Sequence, residues 1–192
     1  MKIIWLGHGS FRIEVEDQVL LIDPWLDGNP SFPADQLSAA TEGATAILVT
    51  HGHFDHVGGL IDLAKKNDLT VAGVYDLVSW WESSEGLKTI PFHRGGTITF
   101  GAVSVTMVPA SHSSSLATDH GPMYAGNPAG FMVQGEGKTL YHSGDTDVMA
   151  DMEWMGDYYK PEIGILSAGG HFTMDMRAAA YAAKRYFDFE TV

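Results

Sequence analysis

Residues 50–56 read Thr50-His51-Gly52-His53-Phe54-Asp55-His56, a run that packs three histidines and an aspartate into a few positions. Imidazole and carboxylate are the side chains that hold zinc and its neighbours. In extended backbone, residues two apart point the same way, so His51 and His53 can reach one metal ion. Asp55 and His56 follow where the chain turns toward a helix, which displaces them toward a second ion. Two later residues suit the same chemistry. His112 follows an apolar strand pattern in Ala110-Ser111-His112-Ser113, and Asp145 follows another in Ser143-Gly144-Asp145-Thr146. Loops at strand ends are where binding groups gather, and the two oxygens of a carboxylate such as Asp145 can bridge two ions. A structural zinc site is closed, tetrahedral and commonly built with cysteine. Here the candidate ligands exceed four and the chain has no cysteine, so the pattern points to a catalytic type of site.

The remaining histidines divide by context. His8 sits between two glycines at a strand exit, as a turn residue or as part of the site lining. His142 falls within a strand pattern and reads as a packing or hydrogen-bonded residue. His93 and His120 read as surface groups. The serines at 111 and 113–115 lack the setting of a nucleophile.

The elements that must position these residues follow from periodicity and turn chemistry. Strand patterns cover residues 2–6, 10–15 and 18–22, then 45–49 leading into the histidine loop. Helical spacing covers 57–66 and 76–84, with Asp76 as a plausible N-cap, around a strand at 70–74. A second strand-rich block spans 89–92, 97–100, 103–109, 129–134 and 139–142. A short helix at 147–155, a strand at 162–167, a helix at 173–186 and the start of a strand at 189–192 complete the pass. This order predicts an α/β chain with two sheets packed face to face and helices outside them. The loops around 25–35 and 113–128 are the expected pocket walls, the latter a candidate lid.

The length of 192 residues predicts one domain. No apolar run approaches the ~18 residues of a spanning helix, and no signal peptide is evident, so the expectation is a cytoplasmic protein with no membrane partner. Lys and Arg number 11 against 24 Asp and Glu, for a formal charge of −13. Phosphate backbones are bound by Lys and Arg, so a nucleic-acid partner is not expected. The partner expected is a small-molecule substrate, and a homo-oligomer is left open.

Taken together, His51-Gly52-His53-Phe54-Asp55-His56, His112 and Gly144-Asp145-Thr146 resemble the ligand series of the metallo-β-lactamase superfamily. The nearest likeness is to its uncharacterised metal-dependent hydrolases, relatives of the ascorbate-6-phosphate lactonase group. Trp5-Leu6-Gly7-His8-Gly9-Ser10, Leu21-Ile22-Asp23-Pro24, residues 125–131 and Gly169-Gly170-His171-Phe172-Thr173-Met174 extend it across most of the chain. The resemblance implies a four-layer αββα sandwich with the site at one edge of the sheets. It implies two divalent ions, zinc by preference and manganese or iron as variants. His51, His53 and His112 would hold the first, Asp55 and His56 the second, and Asp145 would bridge. Asp23 would support the loop from behind rather than bind metal. The implied reaction is hydrolysis of a small ester, lactone or phosphoester by a metal-bound hydroxide, because a bound ion lowers the pKa of water from 15.7 to about 7. Asp55 would orient that nucleophile, and His171 would contact substrate or stabilise charge. The alternatives are a phosphodiesterase or nuclease of the same superfamily, a metal-binding protein without turnover, and a redox-active iron pair. One departure stands out. The family pattern has a further histidine after its last strand, and no histidine follows His171 here. The expectation is a domain over residues 1–192 that lacks its C-terminal end.

Overall fold

The computed structural model describes residues 1–192. Its first half alternates short strands with helices: β1 (Lys2–Trp5), β2 (Phe11–Val15), β3 (Gln18–Ile22), α1 (Leu37–Thr41), β4 (Ala46–Val49), α2 (Phe54–Val57), α3 (Leu60–Asn67), β5 (Thr70–Val74), α4 (Tyr75–Glu85) and β6 (Thr89–Phe92). The second half holds β7 (Thr97–Phe100), β8 (Val103–Pro109), β9 (Ser115–Thr118), β10 (Gly121–Tyr124), β11 (Ala129–Gly135), β12 (Lys138–His142), α5 (Asp151–Tyr159), β13 (Ile163–Ile165) and α6 (Met176–Tyr186). Strands β1 to β6 pair in sequence order as one sheet, and β13-β12-β11-β8-β7 form the other. The first sheet begins as antiparallel hairpins and becomes parallel from β3 to β6. That change explains why β4 is buried along its whole length: a parallel strand is covered on both faces.

Side-chain alternation in the second sheet defines the layers. Val103, Val105, Met107, Phe131, Val133 and Leu140 point into the large core shared with the first sheet. Their neighbours Val108, Met132 and Tyr141 point the other way, onto Met152 and Met155 of α5 and Ala179 and Ala182 of α6. Leu60 and Ala64 of α3 and Leu77, Val78 and Trp81 of α4 join the large core from the far side of the first sheet. The result is the predicted four-layer αββα arrangement. Burying two sheets against each other leaves the strand ends along one edge free to carry loops. No helix is long and apolar enough to cross a membrane.

Several elements differ from the sequence reading. The helix predicted over 57–66 is broken at Gly58-Gly59, and Gly59 takes the left-handed conformation with φ +74°. The break frees α2 as a separate turn that carries Asp55 and His56. Helix α4 starts at Tyr75, and Asp76 makes no capping bond. Helix α6 starts later than 173 because Asp175 caps it, accepting from the Ala178 N–H at 2.7 Å. The 147–155 helix lies at Asp151–Tyr159, and the 162–167 strand shrinks to Ile163–Ile165. Residues 189–192 contribute one bridge, Thr191 to Ile163. The 113–128 segment contains the β9–β10 hairpin, which the sequence did not signal: its strands hold Pro122 and little alternating apolar character. Residues 25–35 do not line the main cavity; Trp25 instead packs behind His8 and Phe54.

Candidate metal centre

The metal-type residues predicted from sequence meet at one edge, where loops leave both sheets. Val49 ends β4, and His51 and His53 follow in the short loop before α2, where His53 is extended. His51 Nε2 lies 3.0 Å from His53 Nδ1, and His112 Nε2 lies 3.3 Å from the same atom. The ligand atoms of these three histidines all fall within 4.8 Å of one another. Burial holds His51 neutral, pushing its pKa well down, and the neighbouring histidines act in the same direction. Burial and then His112 lower His53. Neutral imidazole is the ligand form.

A second group, His8, Asp55 and His56, gathers beside the first. His8 Nε2 lies 2.9 Å from Asp55 Oδ2. His56 is almost fully buried, its Nδ1 2.8 Å from Asp23 Oδ2. Its Nε2 has no hydrogen-bond partner, although Asp145 Oδ2 stands 3.4 Å away. Burial opposes a charge on His56, but the Asp23 and Asp145 carboxylates outweigh it and push the group up to about 10. For Asp55, burial works upward and is overcome by the His8 hydrogen bond and the His56 charge, which bring it down to about 2. The same Asp145 oxygen lies 3.8 Å from His112 Nε2. One carboxylate oxygen therefore faces a nitrogen from each group.

Supporting residues lock these positions. Asp23 is fully buried, with Oδ1 accepting from the Thr50 N–H at 2.8 Å and Oδ2 from the Thr50 hydroxyl at 2.5 Å. Both of its oxygens are engaged in bracing the loop, and its carboxylate also lies within 4.8 Å of ligand atoms of His51 and His56. The Gly52 N–H donates to Ser114 Oγ at 3.1 Å, which ties the histidine loop to the β9–β10 side. The Ser111 N–H donates to Thr146 Oγ1 at 2.9 Å, which ties the His112 loop to the Asp145 loop. His8 is held in the left-handed region at φ 51°, an uncommon backbone state outside glycine. Its carbonyl accepts from Trp5 Nε1 at 2.8 Å.

The donor set fits metal ions. It is all nitrogen and oxygen, a third candidate group of Asp23, His51 and His56 overlaps the other two, and His56 Nε2 is a buried polar atom without a hydrogen-bond partner. Such an orphan calls for an explanation such as an ion. His171 lies elsewhere: it is exposed, lines the same cavity and belongs to neither ligand group. His142 is buried with Nδ1 accepting from the Gly144 N–H at 3.2 Å, the packing and bonding role expected of it. The contact of His8 with Asp55 and the aromatic lining from Phe11, Phe54 and Phe172 were not foreseen. The one available signal was Phe54, an aromatic residue inside an otherwise polar loop.

Two sheets sandwiched between helices, with paired histidine and carboxylate clusters at one edge, define a class of metal-centre proteins. Residues 18–187 match the family model for the beta-lactamase superfamily domain, and the chain belongs to that superfamily. A UPF0173 metal-dependent hydrolase of Dinoroseobacter shibae is 63% identical over the full chain, which spans 84% of that relative. One from Ruegeria sp. is 62% identical with the same coverage. Among solved structures, Igni18, a metallo hydrolase of Ignicoccus hospitalis, aligns with a TM-score of 0.80 at 28% identity, covering 95% of this chain and 76% of that one.

Proposed function

We propose that the chain is a metal-dependent hydrolase that cleaves a small ester, lactone or phosphoester with two divalent ions, zinc by preference. The observation that carries this reading is the single Asp145 oxygen facing His112 of one ligand group and His56 of the other, in the wall of an open cavity of about 870 Å³. His51, His53 and His112 would hold one ion, Asp55 and His56 the other, and Asp145 would lie between. Bound there, the ions supply Lewis-acid polarisation of the scissile group and a way to make water nucleophilic near neutral pH.

The chain's own residues account for the rest. Asp23 accepts from Nδ1–H of His56 and so leaves Nε2 to face Asp145. His8 fixes one oxygen of Asp55, and a carboxyl held near pKa 2 stays ionised at working pH. Asp55 therefore orients rather than shuttles a proton over most of the pH range. His171 lines the same cavity, is exposed and belongs to no candidate ligand group, which supports a role toward substrate rather than metal.

The test pairs metal counting with turnover. Zinc-reconstituted protein should hold two ions per chain and hydrolyse p-nitrophenyl esters or simple lactones. His53→Ala and Asp145→Asn should each lower kcat/KM by about a thousandfold, on the order of 4 kcal/mol of transition-state stabilisation. One ion per chain with no turnover of esters, lactones or bis-p-nitrophenyl phosphate would leave a metal-binding protein and end the hydrolase reading.

A further inference from the structure

The cavity that opens from the candidate metal centre is sizeable. None of the chain's 11 Lys and Arg residues lines it. Apart from histidines, its only ionisable lining groups are Asp55 and Asp145, both assigned to the centre. The N-terminus of α6, the nearest long helix to follow the 165–173 wall, is already capped by the Asp175 carboxylate. Anionic groups on ligands are ordinarily met by Arg, Lys or free helix N-termini. Among residues 1–192, a phosphate or carboxylate remote from the reacting bond would find none of these in the cavity wall.

What the walls do offer is apolar surface. Ile165 and Leu166 form one side, and Ala117 and Pro122 of the β9–β10 hairpin also line the space. Phe54 and Phe172 line it while remaining 66% and 79% exposed, large for aromatic side chains. We propose that the substrate is uncharged outside its scissile bond and carries an extended apolar body, an acyl or alkyl chain, that lies between these walls. This deepens the hydrolase reading and rests on it for the bond that is broken. It separates the chain from lactonases of phosphorylated sugars and from enzymes that process polyanions. The preference itself is a property of the cavity and is measurable without turnover.

The test therefore has a binding arm and a turnover arm. Binding of acetamide, hexanamide and adipic acid monoamide to the EDTA-treated protein is measured by ligand-detected NMR. A fully buried methylene is worth about fourfold in affinity, so partial burial of four should favour hexanamide over acetamide by tenfold or more. The terminal carboxylate of adipic acid monoamide should abolish that gain. Phe172→Ala should reduce the hexanamide advantage at least threefold. Tyr158→Ala, which removes an exposed aromatic of α5 outside the cavity, should leave it intact. Equal binding of the three amides, or tighter binding of the charged one, overturns the proposal. In the turnover arm, zinc-loaded protein should prefer p-nitrophenyl hexanoate to the acetate by tenfold or more in kcat/KM. A preference for a phosphorylated sugar lactone overturns the proposal and leaves the hydrolase reading standing. Loss of all turnover with the amide preference intact does the reverse.

Discussion

Asp23 is the residue on which the second ligand group turns. Its carboxylate receives the Thr50 N–H, the Thr50 hydroxyl and the His56 ring, all inside the protein. A histidine whose Nδ1–H is taken by a carboxylate presents Nε2 in a fixed tautomer and direction, and such outer partners typically change metal affinity 10–100-fold. Asp23→Asn keeps the shape but places an amide where full negative charge stood. The expected outcome is a loss of about 10–100-fold in affinity for the ion assigned to Asp55 and His56, read by titration against a chromophoric chelator. The three-histidine group should lose less, because Asp23 hydrogen-bonds to His56 directly but to His51 through the Thr50 hydroxyl. Equal weakening of both ions would show that Asp23 braces the loop as a whole. The residues that gather as candidate ligands were legible from the sequence because dense His and Asp at strand exits have few other uses. Asp23 was legible only through family likeness, since a buried aspartate before a proline has no periodic signature. His8 was legible as a turn residue or part of the site lining, and it is both, but its bond to Asp55 arises from a contact across 47 positions that no local pattern encodes.

At the scale of elements, the centre depends on how closely β1, β2 and the α2 turn approach. A Cβ on Gly9, in the turn between β1 and β2, would stand 2.8 Å from Cε1 of His56. That ring cannot retreat easily, because Asp23 holds its Nδ1 and it is buried. Gly9→Ala should therefore cost about 1–3 kcal/mol in stability, the usual range for overpacking, and weaken the ion bound by Asp55 and His56. Urea unfolding and the same chelator titration measure both effects. An unchanged midpoint together with unchanged ion affinity would mean that the turn moves freely. The strands that frame the site were readable because β-branched and apolar residues recur in them, as in Val103, Val105 and Val108 of β8. What escaped were pieces whose form comes from packing rather than pattern. The β9–β10 hairpin closes through pairing of Thr118 with Gly121 and a bond from the Thr118 hydroxyl to the Gly121 carbonyl at 2.6 Å, not through an apolar face. The split between α2 and α3 needed the left-handed state of Gly59, whereas the apolar spacing alone ran straight through it.

For the whole molecule, the buried histidines at the edge of the two sheets make stability depend on pH in both directions. His142 is buried and driven down to about 4 by desolvation. In the unfolded chain it titrates near 6.5. Its contribution is fully present above 6.5. It is lost as pH falls toward 4, because the unfolded chain takes up a proton that the fold refuses. His51, also lowered by burial, acts with the same sign. His56 has the opposite sign in metal-free protein. Its folded value is raised to about 10, so its contribution is present below 6.5 and lost as pH climbs through 10. Metal-free protein should therefore be most stable near pH 6.5 and weaken on either side. Asp55, lowered to about 2, adds its own loss only below the ordinary carboxylate range, outside the histidine window. Urea unfolding of EDTA-treated protein from pH 4 to 10 displays the curve. His142→Gln removes one titrating group and should flatten the acid limb between pH 6.5 and 4 by about 3 kcal/mol, at roughly 1.4 kcal/mol per pKa unit. The alkaline limb, set by His56, should keep its slope in that variant. An acid limb equally steep with and without the His142 imidazole would place the proton uptake elsewhere in the chain and remove this residue from the account.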